Sequence, residues 1–184
     1  MATGEQAGGG GAAAGPGASK VDPAKARAFI AHLESQQNLP LALIGGVVAA
    51  FVGAGLWAGV TVATEYQIGW MAIGIGARGG VSVRTLGKGV TNVFGVTGGA
   101  LALIGCVLGN ILSGCGIVAK KAGIAFTDVL SKVLQNPSVA VDILKAMSSA
   151  MDILFYGLAI YAGYKFSFRK VSELEAYNAT RTKG

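Results

Sequence analysis

The feature that most constrains this chain is an uncharged run of 31 residues, Gly89 to Ala119, which is followed at once by Lys120 and Lys121. A helix of that length would extend for about 45 Å, and roughly 20 apolar residues are enough to cross a bilayer core. A water-soluble domain of this size has little reason to carry such a run. The run therefore predicts an integral membrane protein.

The composition of the whole chain agrees with that prediction. Of the 184 residues, 52% are hydrophobic and only 13% are charged, against about 25% charged residues in an average soluble domain. The net charge of +6 could indicate nucleic acid, but the basic residues lie mostly beside apolar segments, as in membrane proteins that follow the positive-inside rule. We therefore expect the lipid bilayer as a partner and no nucleic acid.

The hydrophobic pattern predicts an all-α membrane bundle of four spans with short amphipathic helices at its surface. The start of the chain has no apolar segment of the kind found in a signal peptide. The expected segments are a disordered Gly/Ala-rich tail (1–20), an amphipathic surface helix (21–38), a transmembrane domain (39–168) with spans at about 39–64, 66–86, 91–119 and 148–168 and an amphipathic segment at 122–147, and a polar C-terminal tail (169–184).

The second span, 66–86, has the weakest pattern of the four. Only 12 uncharged residues separate Glu65 from Arg78, and they would rise only about 18 Å as a helix. A full span must therefore include Arg78, whose side chain would extend towards the cytoplasmic face. The alternative is a re-entrant segment, which would leave three spans and exchange the sides of everything downstream.

The distribution of Lys and Arg predicts the orientation. With four spans and the N terminus inside, eleven of these residues are cytoplasmic and four are outside, namely Lys120, Lys121, Lys132 and Lys145. This excess favours cytoplasmic N and C termini.

Glycine spacing within the apolar segments predicts how the helices pack. Pairs with GxxxG spacing let helix backbones approach closely in lipid. The four pairs are Gly55 and Gly59, Gly76 and Gly80, Gly95 and Gly99, and Gly105 and Gly109. We predict tight packing of the second and third spans. The spacing leaves open whether the contacts lie within one subunit, in a homo-oligomer or with another membrane-complex partner.

Three polar residues within the spans are candidate functional residues, because placing them in lipid is costly. They are Arg78, Asn110 and Asp152. Each also has a structural interpretation: Arg78 and Asp152 could reach the two interfaces, and Asn110 could fix helix register through a hydrogen bond. Glu65 would lie near the same outer face as Asp152, where the two could form a small acidic rim.

No pattern in the chain predicts catalysis. The sequence has no HExxH and no GxSxG motif, and its single histidine, His32, precedes the first span. Cys106 and Cys115 are too few for a metal site. The string GIGARG at 74–79 matches GxGxxG but lacks the strand and the downstream acidic residue that nucleotide binding needs. We therefore expect no enzyme activity, no cofactor and no metal.

Three strings resemble a family of bacterial multi-pass inner-membrane proteins of unknown function. They are TVATEYQIGWMAIGIG (61–76), FGVTGGALALIGCVLGN (94–110) and LFYGLAIYAGYKFSFR (154–169). The resemblance covers about 39–169 and implies a bacterial inner membrane, but it implies no activity and no site residue. The chain departs from the family pattern at 78–80, where bulkier apolar residues would be expected.

Two functions follow as expectations. The leading one is a non-enzymatic structural, scaffold or assembly component that packs through its glycine faces. The alternative is a small channel or transporter subunit, whose polar path would be lined by Asn110, Thr97 and Ser113.

Overall fold

The computed structural model describes residues 23–171 and residue 175, so the predicted disordered tail and most of the predicted polar tail lie outside the described residues. Within them the fold is all-α, as predicted, with no strand. The seven helices are α1 (Pro23–Ser35), α2 (Leu39–Thr64), α3 (Trp70–Gly87), α4 (Asn92–Ala122), α5 (Phe126–Gln135), α6 (Pro137–Met147) and α7 (Ala150–Phe166).

The helix ends follow from local chemistry. The Asn38 side chain accepts a hydrogen bond from the backbone N–H of Leu41 at 2.9 Å and so caps α2, which satisfies an N–H that the helix cannot pair itself. Gly123 caps the end of α4, where the backbone enters the left-handed region with φ 65°, a conformation that glycine adopts readily. Lys88 takes the same conformation after α3, with φ 49°.

Four of the helices form a bundle. α2 packs against α3 and α4, and α7 packs against the same two helices. The start of α2 lies beside the end of α3, because the Asn38 N–H donates to the Gly87 carbonyl at 2.9 Å. At the opposite end of the bundle, Lys120 of α4 contacts Glu65, which follows α2. α2 and α4 are therefore parallel, and α3 and α7 run back between the two ends.

α5 and α6 pack against the C-terminal half of α4. Val129 and Val133 of α5 form an apolar cluster with Cys115 and Ala119 of α4. Gly114 of α4 faces residues of α6, because a Cβ atom added there would meet Ile143 and Met147. These two helices occupy most of the segment predicted to be amphipathic, and Pro137, at the first position of α6, separates them.

The interior of the bundle consists mainly of small side chains, while large apolar side chains face outward. Buried alanines include Ala42, Ala54, Ala72 and Ala159. Phe51 is 60% exposed and Leu56 62% on α2, and Ile153 is 75% exposed on α7. Helices that pack in lipid have this arrangement, because close backbone approach rather than apolar burial holds them together.

Two helices, α2 and α4, are long and apolar enough to cross a membrane. The α6–α7 pair would supply a third span if these two helices, bent by 102° at their junction, are taken as one. α3 does not meet the same criterion, since Arg78 and Arg84 lower its hydropathy, and α7 alone has only 17 residues. Length and composition thus show two or three candidate spans among the described helices rather than the four predicted.

Candidate functional site

A buried polar cluster lies where α3 and α7 begin, and Asn110 of α4 is at its centre. The Asn110 side chain is fully buried. Its carbonyl oxygen accepts a hydrogen bond from the Gln67 amide, and its own amide donates to the Tyr156 hydroxyl. Asn110 therefore joins α4 to the α2–α3 connection on one side and to α7 on the other.

Asp152 completes this cluster and also caps α7. One carboxylate oxygen accepts hydrogen bonds from the Ser149 N–H at 2.6 Å and the Ser149 hydroxyl at 2.9 Å, the reciprocal arrangement of a capping box. The other oxygen lies 3.5 Å from the Gln67 amide nitrogen. Asp152 is only 5% exposed, so this carboxylate is held at a helix start by donors from its own chain.

The polar cluster adjoins an apolar layer that includes Trp57, Ile75 and Cys106, against which the Tyr156 ring packs. Trp57 is the largest fully buried side chain. In the part of the chain that the structure describes, two buried polar atoms lack a hydrogen-bond partner: the Trp57 Nε1 and the Thr61 hydroxyl. Both belong to α2, one helical turn apart. Unpaired buried donors of this kind are rare in folded proteins.

Three of the four GxxxG pairs turn inward and set helix contacts within the chain. A Cβ atom at Gly76 or Gly80 would meet the backbone of α7 at Ala159 or Gly163. Gly95 and Gly99 face Tyr164 and Ile160 of the same helix. Gly105 faces Ile75 of α3 as well as Ala50 of α2, and Gly109 faces Trp57 of α2. The predicted close packing of these glycines is thus intramolecular.

The fourth pair behaves differently. Gly55 and Gly59 of α2 are exposed, and a Cβ atom at either would meet nothing within 4 Å. They pack no helix within the chain. A further close backbone approach involves a glycine pair that GxxxG spacing did not select, Gly98 of α4 and Gly163 of α7, where an added Cβ on Gly163 would lie 2.6 Å from the Gly98 carbonyl oxygen.

The third polar candidate, Arg78, lies apart from the cluster. Its side chain is exposed on α3 and makes no ion pair with the described residues. It borders an apolar groove of about 700 Å³ between α2 and α3, in which Ser82 is the other polar residue. The structure therefore brings Asn110 and Asp152 together and leaves Arg78 outside.

Glu65 pairs with a cation rather than with a second carboxylate. Its oxygen lies 2.6 Å from the Lys120 Nζ. The hydrogen bond and the charge of Lys120 lower the pKa of Glu65 from its ordinary value of 4.5, and Lys121 adds to this effect. The ion pair thus favours the folded chain above pH 4.5 and is lost as the pH falls through the lowered pKa. Asp152 instead bonds to Ser149 and lies beside Gln67. Glu65 and Asp152 therefore do not form the acidic rim that the sequence suggested.

The hydroxyl groups proposed for a polar path bond to their own helix. Thr97 donates to the Val93 carbonyl at 2.9 Å, and Ser113 donates to the Gly109 carbonyl at 2.7 Å. Between Thr97 and Asn110 the buried positions of α4 are Gly98, Gly99, Leu101, Ala102, Gly105, Cys106 and Gly109. This face of α4 is apolar.

We searched the described ranges, 23–171 and 175, for clusters of metal-ligating side chains. No group of three or more His, Cys, Asp or Glu side chains there could hold a metal ion. No protein-family model, curated protein or solved structure matches this chain.

Proposed function

We propose that the chain is a non-enzymatic, four-span protein of a bacterial inner membrane, with cytoplasmic termini, that serves as a structural, scaffold or assembly component. Its inward glycines hold the bundle together, and the outward face of α2 is available to a partner. The partner is either a second copy of the chain or another membrane protein.

The direction of the helices supports the four-span arrangement more strongly than hydropathy does. α2 and α4 are the two helices that qualify as spans by themselves, and they are parallel. A chain that crosses a membrane twice in the same direction must return between the two crossings. α3 makes that return, because its end lies beside the start of α2. α7 returns from the far end of α4 in the same way, since the Arg169 N–H donates to the Gly89 carbonyl at 2.8 Å.

The observation that carries the proposal is the closure of the bundle interior around Asn110. Both polar ends of this amide have partners on neighbouring segments, and the adjoining layer is buried and apolar apart from the unpaired Trp57 Nε1. A scaffold needs an interior of this kind, because a polar group buried in lipid has to be satisfied internally. A channel would need polar groups left open along a continuous path, and Thr97 and Ser113 do not supply them.

The exposed glycines of α2 indicate where a partner would pack. Gly55 and Gly59 leave a shallow, small-residue strip between exposed large side chains such as Phe51 and Leu56. Such a strip lets a second helix approach closely in lipid. The inward GxxxG pairs are already occupied within the chain, so this pair is the one free to pack against another protein.

The proposal is tested by pulling the tagged full chain from native membranes and by crosslinking it there. We expect recovery with itself or with a defined membrane partner, and loss of that association in the Gly55→Ile/Gly59→Ile variant. Gly157→Ile is the matched control, because Gly157 of α7 is also exposed with nothing within 4 Å. Unchanged association in the double variant would remove α2 as the contact face. A protein recovered alone, together with an ion or solute flux in liposomes that Asn110→Leu abolishes, would contradict the scaffold function.

A further inference from the structure

A pocket of about 380 Å³ lies at the end of the bundle where α3 stops and α4 starts. Three cationic side chains line it: Arg84 and Lys88 from the end of α3, and Arg169 from the residues after α7. Leu33 and Gln36, at the end of α1 and just after it, form another wall. No acidic residue is among those that line it, so the pocket concentrates positive charge.

Hydrogen bonds hold the backbone around this pocket in place. The Gln37 side-chain oxygen accepts hydrogen bonds from the Val90 N–H at 3.2 Å and the Thr91 hydroxyl at 3.0 Å. From the other side, the Arg169 N–H donates to the Gly89 carbonyl at 2.8 Å. The α3–α4 turn is thus tied to the α1–α2 link and to the end of α7, which holds the three cations near one another.

Lys88 occupies a backbone position that suits glycine better. Its φ of 49° lies in the left-handed region, where a Cβ atom is strained and glycine is not. Gly87 and Gly89 flank it, so the strain falls on the one residue of the turn that carries a charge. Lys88 thus lines the pocket from a backbone conformation in which glycine would be less strained.

Ion pairs among the described residues leave two of these three cations without an acidic partner. Among the described residues, Arg169 pairs with Glu175, whereas Arg84 and Lys88 make no ion pair. Arginine binds a phosphate group through two parallel hydrogen bonds, and lysine adds a point charge. Basic pockets between membrane helices on the cytoplasmic side bind phosphate-bearing lipid head groups in this way.

We propose that this pocket binds a phosphate group, that of an anionic phospholipid in the leaflet at this end of the bundle. Arg84 and Lys88 hold the phosphate oxygens, and Arg169 joins them when it leaves Glu175. The lipid is the expected source because the apolar helices α2 and α4 begin beside the pocket, which puts it at the level of the head groups. The inference rests on the proposed membrane arrangement, and it is independent of whether α2 binds a partner.

The test uses the purified full chain in phosphatidylcholine nanodiscs, with thermal unfolding as the readout. Replacing part of the phosphatidylcholine with phosphatidylglycerol should raise the unfolding midpoint of the wild type. In the Arg84→Gln/Lys88→Gln variant we expect at least a tenfold loss in apparent affinity for phosphatidylglycerol. Lys121→Gln/Lys145→Gln is the matched control, since it removes the same charge from exposed positions at the other end and should bind as the wild type does.

A second pair of variants separates binding from folding. Lys88→Gly relieves the left-handed strain and should fold at least as stably as Lys88→Ala while losing the cation, so both should bind phosphatidylglycerol more weakly than the wild type. Displacement of the lipid effect by inorganic phosphate at millimolar concentration would support the phosphate chemistry, whereas stabilisation by inorganic phosphate without any response to phosphatidylglycerol would assign the site to the free ion and overturn the lipid as its source. An equal response to phosphatidylglycerol in the wild type and in the Arg84→Gln/Lys88→Gln variant would overturn the proposal.

Discussion

Asn110 shows how a single side chain can connect three parts of a membrane bundle. In a soluble domain its hydrogen bonds would compete with water, so the net contribution of each would be modest. Here the Gln67 amide and the Tyr156 hydroxyl both depend on it. Removing the amide therefore leaves two polar groups without their principal partner in an apolar interior.

We expect Asn110→Leu to lower the free energy of unfolding by about 1–3 kcal/mol, the cost of leaving buried polar groups unsatisfied. The measurement is detergent-mediated unfolding followed by circular dichroism. Asn92→Leu is the control, because Asn92 is exposed at the first position of α4 and should change little. Equal stability of the two variants would show that the cluster does not hold these segments together.

The sequence predicted two members of this cluster and missed the other two. Asn110 and Asp152 stand out as polar residues in apolar runs, and the cost of burying them identifies them without a structure. Gln67 does not stand out, because it follows Glu65 and Tyr66 at the edge of a run. Its partners lie 43 and 85 positions along the chain. Only the bundle topology, which single-sequence patterns do not specify, brings these residues together.

At the scale of the helices, the uncharged runs predicted where helices form better than how their faces point. The predicted second span began at residue 66, but α3 begins at Trp70, because 66–69 form the connection that carries Gln67 into the interior. GxxxG spacing selected eight glycines, of which six face another helix of the chain. The spacing places two glycines on one face and contains no information about which helix that face meets.

The contact between α3 and α7 gives a direct test of glycine packing. A Cβ atom at Gly76 would lie 3.0 Å from the Ala159 backbone carbons, and a backbone cannot move aside as a flexible side chain can. We expect Gly76→Ala to destabilise the bundle by about 1–3 kcal/mol through overpacking, although alanine is the better helix former by about 1 kcal/mol.

Gly157→Ala on α7 provides the comparison, because nothing lies within 4 Å of the added atom. This variant should be neutral or more stable in the same detergent-unfolding measurement. If Gly76→Ala were as stable as Gly157→Ala, the close approach of α3 and α7 would not depend on the missing side chain.

At the scale of the whole molecule, the parallel course of α2 and α4 determines which chain segments share a side of the membrane. Cysteine accessibility in intact cells checks it, after the two buried native cysteines are replaced by alanine. We expect Lys88→Cys and Lys170→Cys to be labelled from the cytoplasm, and Tyr66→Cys and Lys121→Cys from the other side. Labelling of positions 66 and 88 from the same side would mean that α3 is re-entrant and that the proposed four-span arrangement is wrong.

Because its helices differ in length, the molecule has two layers along the axis of the bundle. α3 and α7 have 18 and 17 residues and rise about 27 and 26 Å, while the 31 residues of α4 rise about 46 Å. The last turns of α4 therefore extend beyond the polar cluster. α5 and α6 pack against these turns, and we call the two helices the collar. No residue of α6 is fully buried. A protein approaching from that side would meet this collar before the four-helix core, whereas one approaching from the opposite side would meet the cationic pocket directly.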